Sequence, residues 1–104
     1  AVCLLSDRDL TGRGIEVEFF GERTTLPGGP VALARRTGLP VLPAAIYFED
    51  GPGHHAIIAP PIEFPPGAEL ADEAQMVARH LEALIRRDPG QWHLVQPNWP
   101  SDRI

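Results

Sequence analysis

Three consecutive charged residues, Asp7, Arg8 and Asp9, are the side chains of this chain best placed to do chemistry. They follow a short apolar run at residues 1–5, and a short apolar run that ends in a turn is typical of a buried strand. Charged residues at the exit of such a strand lie at the edge of a sheet, where α/β proteins often place their active sites. The simpler alternative is a strand end that is polar only because it meets water.

A second candidate is the pair Gly28 and Gly29, which precedes a short predicted helix. Backbone N–H groups at the start of a helix can hold a carboxylate, a phosphate or an oxyanion. A plain loop is the alternative. The four histidines have no spacing that suits metal ligands, and the sequence has no Gly-x-Ser-x-Gly nucleophile motif and no phosphate-binding or dinucleotide-binding glycine motif. We therefore predict no metal site and no cofactor.

The composition indicates a small acidic domain. The chain has 104 residues, enough for one domain, and a formal net charge of −5. Its basic residues are all arginines and form no basic run, which argues against a nucleic-acid-binding surface. The single cysteine, Cys3, cannot form an internal disulfide. Its place in the first apolar run predicts a buried side chain, and a reducing compartment is the default.

Periodicity and chain breakers predict alternating strands and helices, which is an α/β pattern. The clearest element is a helix that begins at Leu70, or at a capping box starting at Asp72, and ends before Pro89. Its predicted apolar stripe comprises Leu70, Ala74, Val77, Leu81, Leu84 and Ile85, with Glu82 and Arg86 as an ion pair beside it. The other predicted elements are strands at 1–5, 40–48 and 55–60, extended segments at 15–20 and 91–96, a loop at 21–29, and a helix at 31–37 closed by Gly38. If the first two strands are parallel, the helix between them makes a right-handed crossover.

The order of these features is more specific than any one of them. The most telling stretches are residues 6–12 (Ser-Asp-Arg-Asp-Leu-Thr-Gly), 17–21 (Val-Glu-Phe-Phe-Gly) and 92–97 (Trp-His-Leu-Val-Gln-Pro). With the glycine pair between them, the chain resembles the C-terminal half of the bacterial lipid A biosynthesis acyltransferases, which include the lauroyl acyltransferases. It looks most similar to the phosphatidylinositol mannoside acyltransferases of mycobacteria and other actinobacteria. The resemblance covers residues 1–103.

The resemblance implies an α/β fold with a mixed sheet and flanking helices, in which residues 1–104 form the second half of a glycerolipid-acyltransferase-like domain. It also implies O-acyl transfer from acyl-CoA or acyl carrier protein to a sugar hydroxyl of a glycolipid, here a phosphatidylinositol mannoside. The parent enzyme is expected to be a peripheral protein at the cytoplasmic face of the inner membrane.

The histidines depart from the family pattern. In enzymes of this kind, a histidine in an H-x-x-x-x-D/E motif is the general base. The residues five positions after the four histidines are Ala59, Pro60, Ile85 and Asn98, and none of them is acidic. We therefore expect the motif to lie in an N-terminal half that this sequence does not contain, and we expect the isolated chain to be inactive.

The resemblance also assigns site residues. Asp7, Arg8 and Asp9 are predicted to be catalytic: Asp7 would orient the acceptor sugar or support the histidine, and Arg8 would pair with a carboxylate or a lipid phosphate. The predicted substrate-binding residues are Glu18, Glu22, Thr25, Gly28 and Gly29. For Phe19, Phe20, Val41, Leu42 and Ile46, lining an acyl-chain tunnel is an alternative to ordinary core packing.

A non-enzymatic α/β module that binds a lipid or a protein is the rival hypothesis. Apolar surface left exposed by such a module would be its binding face. The same surface could pair two copies of the chain as a homo-oligomer.

Overall fold

The computed structural model describes residues 3–9, 12–51, 53–92 and 98–103, and it confirms the α/β class. The elements of the described residues, in chain order, are strands β1 (Ile15–Phe19) and β2 (Glu22–Leu26), helix α1 (Gly29–Thr37), strands β3 (Ala44–Phe48) and β4 (His54–Ile58), helix α2 (Leu70–Arg87), and 3₁₀ turns at Pro89–Gln91 and Pro100–Arg103. The strands pair as two antiparallel hairpins, β1 with β2 and β3 with β4. The described residues therefore form two small sheets and no parallel pair.

The β1–β2 hairpin supplies much of the core. Its pairing register places Val17 opposite Thr24, and Val17 and Phe19 are buried whereas the alternate residues Glu16 and Glu18 face solvent. This alternation is what a half-buried strand requires. Our prediction of a loop over residues 21–29 is wrong for Glu22–Leu26, which is strand β2.

The turn between β1 and β2 explains why β2 was missed. Phe20 and Gly21 both have positive φ, at 52° and 81°, as the two central residues of a type I′ hairpin turn require. Asn-Gly is the usual sequence for this turn, and a phenylalanine with positive φ is rare. The sequence therefore carried no recognisable hairpin signal here.

The predicted β3–β4 hairpin is confirmed, although its first strand begins at Ala44 and not at residue 40. Pro40 and Pro43 precede it, and proline cannot donate a ladder hydrogen bond. One face of this hairpin is exposed along its whole length. The side chains on that face are Ala44, Ile46, Phe48, His54, Ala56 and Ile58.

The first predicted strand is wrong for residues 3–5, which are not in a strand. Leu5 is 90% exposed, and Cys3 is exposed as well, so the predicted burial of the cysteine is also wrong. A strand needs a partner to complete its backbone hydrogen bonds, and no described strand pairs with this segment.

Both helices are confirmed. Helix α1 ends at Gly38, whose φ of 71° is left-handed and whose N–H bonds to the Ala34 carbonyl at 2.8 Å, a common way to close a helix. Helix α2 begins at Leu70, and its N-cap residue Glu69 makes no capping hydrogen bond through its side chain. The proposed capping box at Asp72 is therefore not how this helix begins.

Helix α2 packs on β1 and completes the core. The buried residues of this core are Val17, Phe19, Leu26, Val31, Ala74 and Ala78. Ala78 is fully buried although it was not in the predicted stripe. Glu82 is buried too, and it pairs with Arg86 at 3.8 Å as predicted.

Candidate functional site

Asp7 lies where an indole and a guanidinium meet. Its Oδ2 accepts hydrogen bonds from Trp92 Nε1 at 2.8 Å and from Arg8 Nη2 at 3.0 Å. Its Oδ1 is 3.4 Å from Arg8 Nε. The Asp7 carbonyl accepts a long hydrogen bond from Asn98 Nδ2, at 3.5 Å. The segment is thus tied to two distant parts of the chain, although it does not leave a strand.

These contacts control the charge of Asp7. Partial burial by itself raises the pKa of this carboxyl, but the hydrogen bonds from Arg8 and Trp92, together with the positive charge of Arg8, hold the pKa below its ordinary value of 3.8. Asp7 is therefore an anion at neutral pH. Its side chain and that of Arg8 remain 24% and 28% exposed, so a ligand can reach both groups.

Asp9 connects the same segment to the β1–β2 hairpin. Its Oδ2 accepts hydrogen bonds from Thr25 Oγ1 and from the Gly14 N–H, both at 2.7 Å. A Cβ on residue 14 would be 2.3 Å from the Leu26 carbonyl oxygen and 2.7 Å from Asp9 Oδ2. Only glycine allows this close approach, so the backbone itself fixes the Asp9 carboxylate.

Asp9 and Thr25 line an open cleft with a volume of about 290 Å³. The cleft is also lined by Glu16 and Arg23, which form an exposed ion pair at 2.7 Å. Trp99 lines it as well. Carboxylates, an arginine, a hydroxyl and an aromatic ring together offer both hydrogen bonds and an apolar surface. Of the predicted residues, Asp9 and Thr25 thus line this cleft together, and Asp7 and Arg8, which pair with each other, precede Asp9 in the chain.

Glu18 and Glu22 lie elsewhere on the hairpin. The Glu18 carboxylate pairs with Arg79 on α2 at 3.1 Å, and Glu22 accepts a hydrogen bond from Ser101 Oγ at 2.8 Å. Within the described part of the chain, neither carboxylate hydrogen-bonds to Asp7 or Asp9. Their contacts are those of groups that join secondary-structure elements, and a role in substrate binding stays a prediction.

Gly28 and Gly29 begin α1 where it packs against the hairpin. A Cβ at Gly28 would lie 2.8 Å from Ile15 Cδ1, and one at Gly29 would lie 3.7 Å from Leu4 Cδ1. Gly28 therefore has a packing reason to be glycine, because a side chain would push α1 away from β1. The anion-binding role of this helix start stays a prediction.

The five residues considered for an acyl-chain tunnel lie in different surroundings. Phe19 is fully buried in the core, and Phe20 and Val41 are half-buried. Leu42, just before β3, and Ile46, within β3, are both exposed. The tunnel role stays a prediction for them.

Sequence reasoning did not identify the contacts that Trp92, Asn98 and Glu82 make with the site and with the β1–β2 hairpin. Trp92 binds Asp7 across 85 positions of sequence, and Asn98 is buried beside Thr24, whose hydroxyl donates to the Asn98 carbonyl. Glu82 accepts a hydrogen bond from the Phe20 N–H at 2.8 Å. The available signal for Trp92 was general, since a buried indole N–H needs an acceptor.

The described residues contain neither a cluster of metal-ligand side chains nor a helix that could span a membrane. Among them, no group of three or more His, Cys, Asp or Glu side chains is arranged to hold a metal ion. In the same part of the chain, neither helix is long and apolar enough to pass through a bilayer.

Comparison with known proteins identifies the protein family. The profile of the family described as bacterial lipid A biosynthesis acyltransferase matches residues 1–101. The chain belongs to this family. The family resemblance predicted from the sequence is thereby confirmed. The Asp7–Asp9 segment, the β1–β2 hairpin and Trp92 all lie inside the matched residues.

The relatives found in this lipid A acyltransferase family are phosphatidylinositol mannoside acyltransferases. The chain is 41% identical to that of Mycobacterium tuberculosis strain H37Rv over 101 residues, which are 97% of this chain and 31% of the relative. It is 38% identical to that of Mycolicibacterium smegmatis, covering 97% of this chain and 33% of the relative. The chain thus spans about a third of the length of the curated relatives it matches.

Proposed function

We propose that this protein acts in O-acyl transfer from a thioester donor, acyl-CoA or acyl carrier protein, to a sugar hydroxyl of a phosphatidylinositol mannoside. The observation that carries the proposal is the 41% identity to a phosphatidylinositol mannoside acyltransferase along 97% of the chain. The geometry of the site is compatible with it, because the Asp9 carboxylate lines an open polar cleft, with the anionic Asp7 two residues before it in the chain, and such a cleft suits a polyhydroxylated acceptor.

The reaction is a substitution at the thioester carbonyl. The sugar hydroxyl oxygen attacks the carbonyl carbon, the new C–O ester bond forms, and the C–S bond breaks. A general base takes the hydroxyl proton, and the thiolate leaves and takes up a proton.

Asp7 serves this reaction as an anion and not as the base. A carboxyl whose pKa is held below 3.8 is a weak base at neutral pH, whereas general bases have pKa values near the working pH. Its negative charge can instead accept hydrogen bonds from acceptor hydroxyls or stabilise a protonated imidazole. Arg8, already paired with Asp7, fixes the carboxylate from one side.

The general base is not assigned to these 104 residues. None of the four histidines has an acidic residue five positions on, which is the pattern that holds the imidazole in the required tautomer. We propose that the isolated chain does not catalyse transfer. We also propose that the whole protein works at the cytoplasmic face of the inner membrane, where a glycolipid acceptor would be presented.

The test is an acyl-transfer assay with the full-length natural protein, purified with detergent if needed. Palmitoyl-CoA and palmitoyl carrier protein are supplied as donors, and a phosphatidylinositol mannoside as acceptor. We expect transfer by the wild type and a loss of about 100-fold or more in Asp7→Ala, in line with the loss of a charged group from an active site. Asp72→Ala, in the exposed first turn of α2, is the matched control and should keep its activity.

The other results are equally informative. Transfer by Asp7→Ala at the wild-type rate would keep the acyltransferase assignment and remove Asp7 from the site. No transfer by the wild type from either donor would favour the rival hypothesis of a lipid-binding or protein-binding module.

A further inference from the structure

The indole of Trp92 is held on three sides by other aromatic rings. Its centroid lies 6.0 Å from Phe19 at an interplanar angle of 90°, 5.9 Å from Phe20, and 6.0 Å from Trp99 at 87°. Edge-to-face contacts of this kind fix the orientation of a ring as well as its position. Trp92 therefore has little freedom to turn its N–H away from Asp7.

The partners of Trp92 are themselves fixed. Glu82 holds the Phe20 N–H at 2.8 Å, and the guanidinium of Arg86 lies 5.0 Å from the centroid of the Phe20 ring. Trp99 Nε1 donates to the Phe19 carbonyl at 2.8 Å. The ring cluster is thus tied to both α2 and β1, which makes it a rigid support.

The two carboxylate oxygens of Asp7 differ in the hydrogen bonds that they accept. Oδ2 receives both short hydrogen bonds, from Trp92 at 2.8 Å and from Arg8 at 3.0 Å. Within the described part of the chain, the side-chain donor to Oδ1 is Arg8 Nε, at the longer distance of 3.4 Å. Oδ1 is consequently the oxygen with the greater remaining capacity to accept a hydrogen bond.

We propose that Trp92 is a positioning residue for acyl transfer: its N–H holds Asp7 Oδ2 so that Oδ1 is presented to the acceptor or to the base. This inference rests on the proposed function, and it adds a residue that acts through Asp7. The competing account is that the hydrogen bond only fastens residues 3–9 to the core.

A pair of tryptophan variants separates the two accounts. Trp92→Phe removes the donor to Asp7 and keeps an aromatic ring. Trp99→Phe removes a donor of the same kind, from the same ring cluster, whose acceptor is the backbone carbonyl of Phe19. The measurements are equilibrium unfolding and the pH profile of kcat/KM for acyl transfer, both with the full-length protein.

We expect Trp92→Phe to lower kcat/KM by about tenfold or more, the size typical of a lost hydrogen bond to a charged group. Loss of this donor raises the pKa of Asp7, so the lower break on the acid limb of the pH profile, which reports protonation of Asp7 below the pKa of the general base, moves to higher pH. Trp99→Phe should lower stability without moving that limb. Equal losses of stability in the two variants, with no movement of the acid limb in Trp92→Phe, would overturn the proposal.

Two further measurements keep the test decisive. If Trp92→Phe does not fold, Trp92 is replaced by 3-benzothienylalanine, in which sulfur stands in place of the N–H at nearly constant shape, and the same shift is expected. If the wild type transfers no acyl group, the proposed function fails separately, and the pKa of the Asp7 carboxyl is followed by ¹³C NMR. A higher pKa in Trp92→Phe than in the wild type then supports the coupling, and an unchanged pKa refutes it.

Discussion

The two hairpins in the described part of the chain have the same topology and opposite surroundings. Each consists of two five-residue antiparallel strands. In the β1–β2 hairpin, Phe19 is fully buried, and Val17 and Leu26 are 3% and 4% exposed. In the β3–β4 hairpin, Ile46 and Phe48 are 71% and 63% exposed. Equal strand length and pairing therefore do not produce equal packing.

Hydrogen bonds between each hairpin and other elements of the chain explain the difference in packing. The β1–β2 hairpin is held by Gln75, which bonds both the N–H and the carbonyl of Glu18 at 2.8 Å, and by the buried Glu82. The β3–β4 hairpin is held at Tyr47, whose hydroxyl donates to the Leu84 carbonyl at 2.5 Å, and at Phe48 by Gln91. The candidate site adjoins the better-packed hairpin, as a fixed geometry requires.

The largest expected contrast is between two phenylalanines. Phe19→Ala should lower the free energy of unfolding by about 3–5 kcal/mol, because it empties a fully buried site. Phe48→Ala should change it by less than about 1 kcal/mol, since its ring is already 63% exposed. Urea unfolding of both variants checks this. A large loss in Phe48→Ala would mean that its face is covered in the natural protein.

A smaller contrast concerns the side chains that accept backbone N–H groups of the two hairpins. Glu82→Leu should cost about 1–3 kcal/mol, because it leaves the Phe20 N–H without its acceptor in a partly buried turn. Gln91→Leu should cost less than about 1 kcal/mol, since the Phe48 N–H lies in an exposed position that water can reach. Thermal unfolding of the two variants decides the matter, and equal losses would show that the hairpins depend equally on these contacts.

The smallest expected effect is a pH dependence of the free energy of unfolding that arises from the Asp7 carboxyl. The pKa of Asp7 is lowered in the folded protein, so its contribution to stability is complete above the unfolded-state pKa, about 3.9. That contribution is lost as the pH falls through the folded-state pKa. Asp7→Asn should therefore flatten the decline of stability in this acid range. Asp50→Asn, in the exposed turn of the other hairpin, is the control. A curve for Asp7→Asn that runs parallel to the wild type would contradict the ion pair with Arg8.

The elements that could be predicted from the sequence are those with local signals. Helix α2 has an apolar stripe and a clear stop, and the β3–β4 hairpin has a Gly-Pro-Gly turn between apolar runs. Strand β2 could not be predicted, because Glu82 supports an uncommon Phe-Gly turn from 62 positions away. The strand at residues 1–5 was wrong for residues 3–5 because strand formation depends on a partner that local composition does not report.

The residues of the candidate site divide in the same way, into those with a local sequence signal and those without one. Asp7 and Asp9 could be chosen from their position after an apolar run, and Thr25 from the family resemblance. Trp92 could not, since only the folded chain brings its indole to Asp7. Glu18 and Glu22 were chosen by residue type, and their contacts with Arg79 and Ser101 could not be foreseen from that.

We propose that acyl transfer by the full-length protein depends on Asp7 and not on the exposed β3–β4 hairpin. The most direct test measures kcat/KM for transfer to a phosphatidylinositol mannoside in two folded, full-length variants, Asp7→Asn and Asp50→Asn. These substitutions remove the same charge with nearly no change of volume. We expect a loss of about 100-fold or more in Asp7→Asn and wild-type activity in Asp50→Asn. Equal activity in the two variants would contradict it.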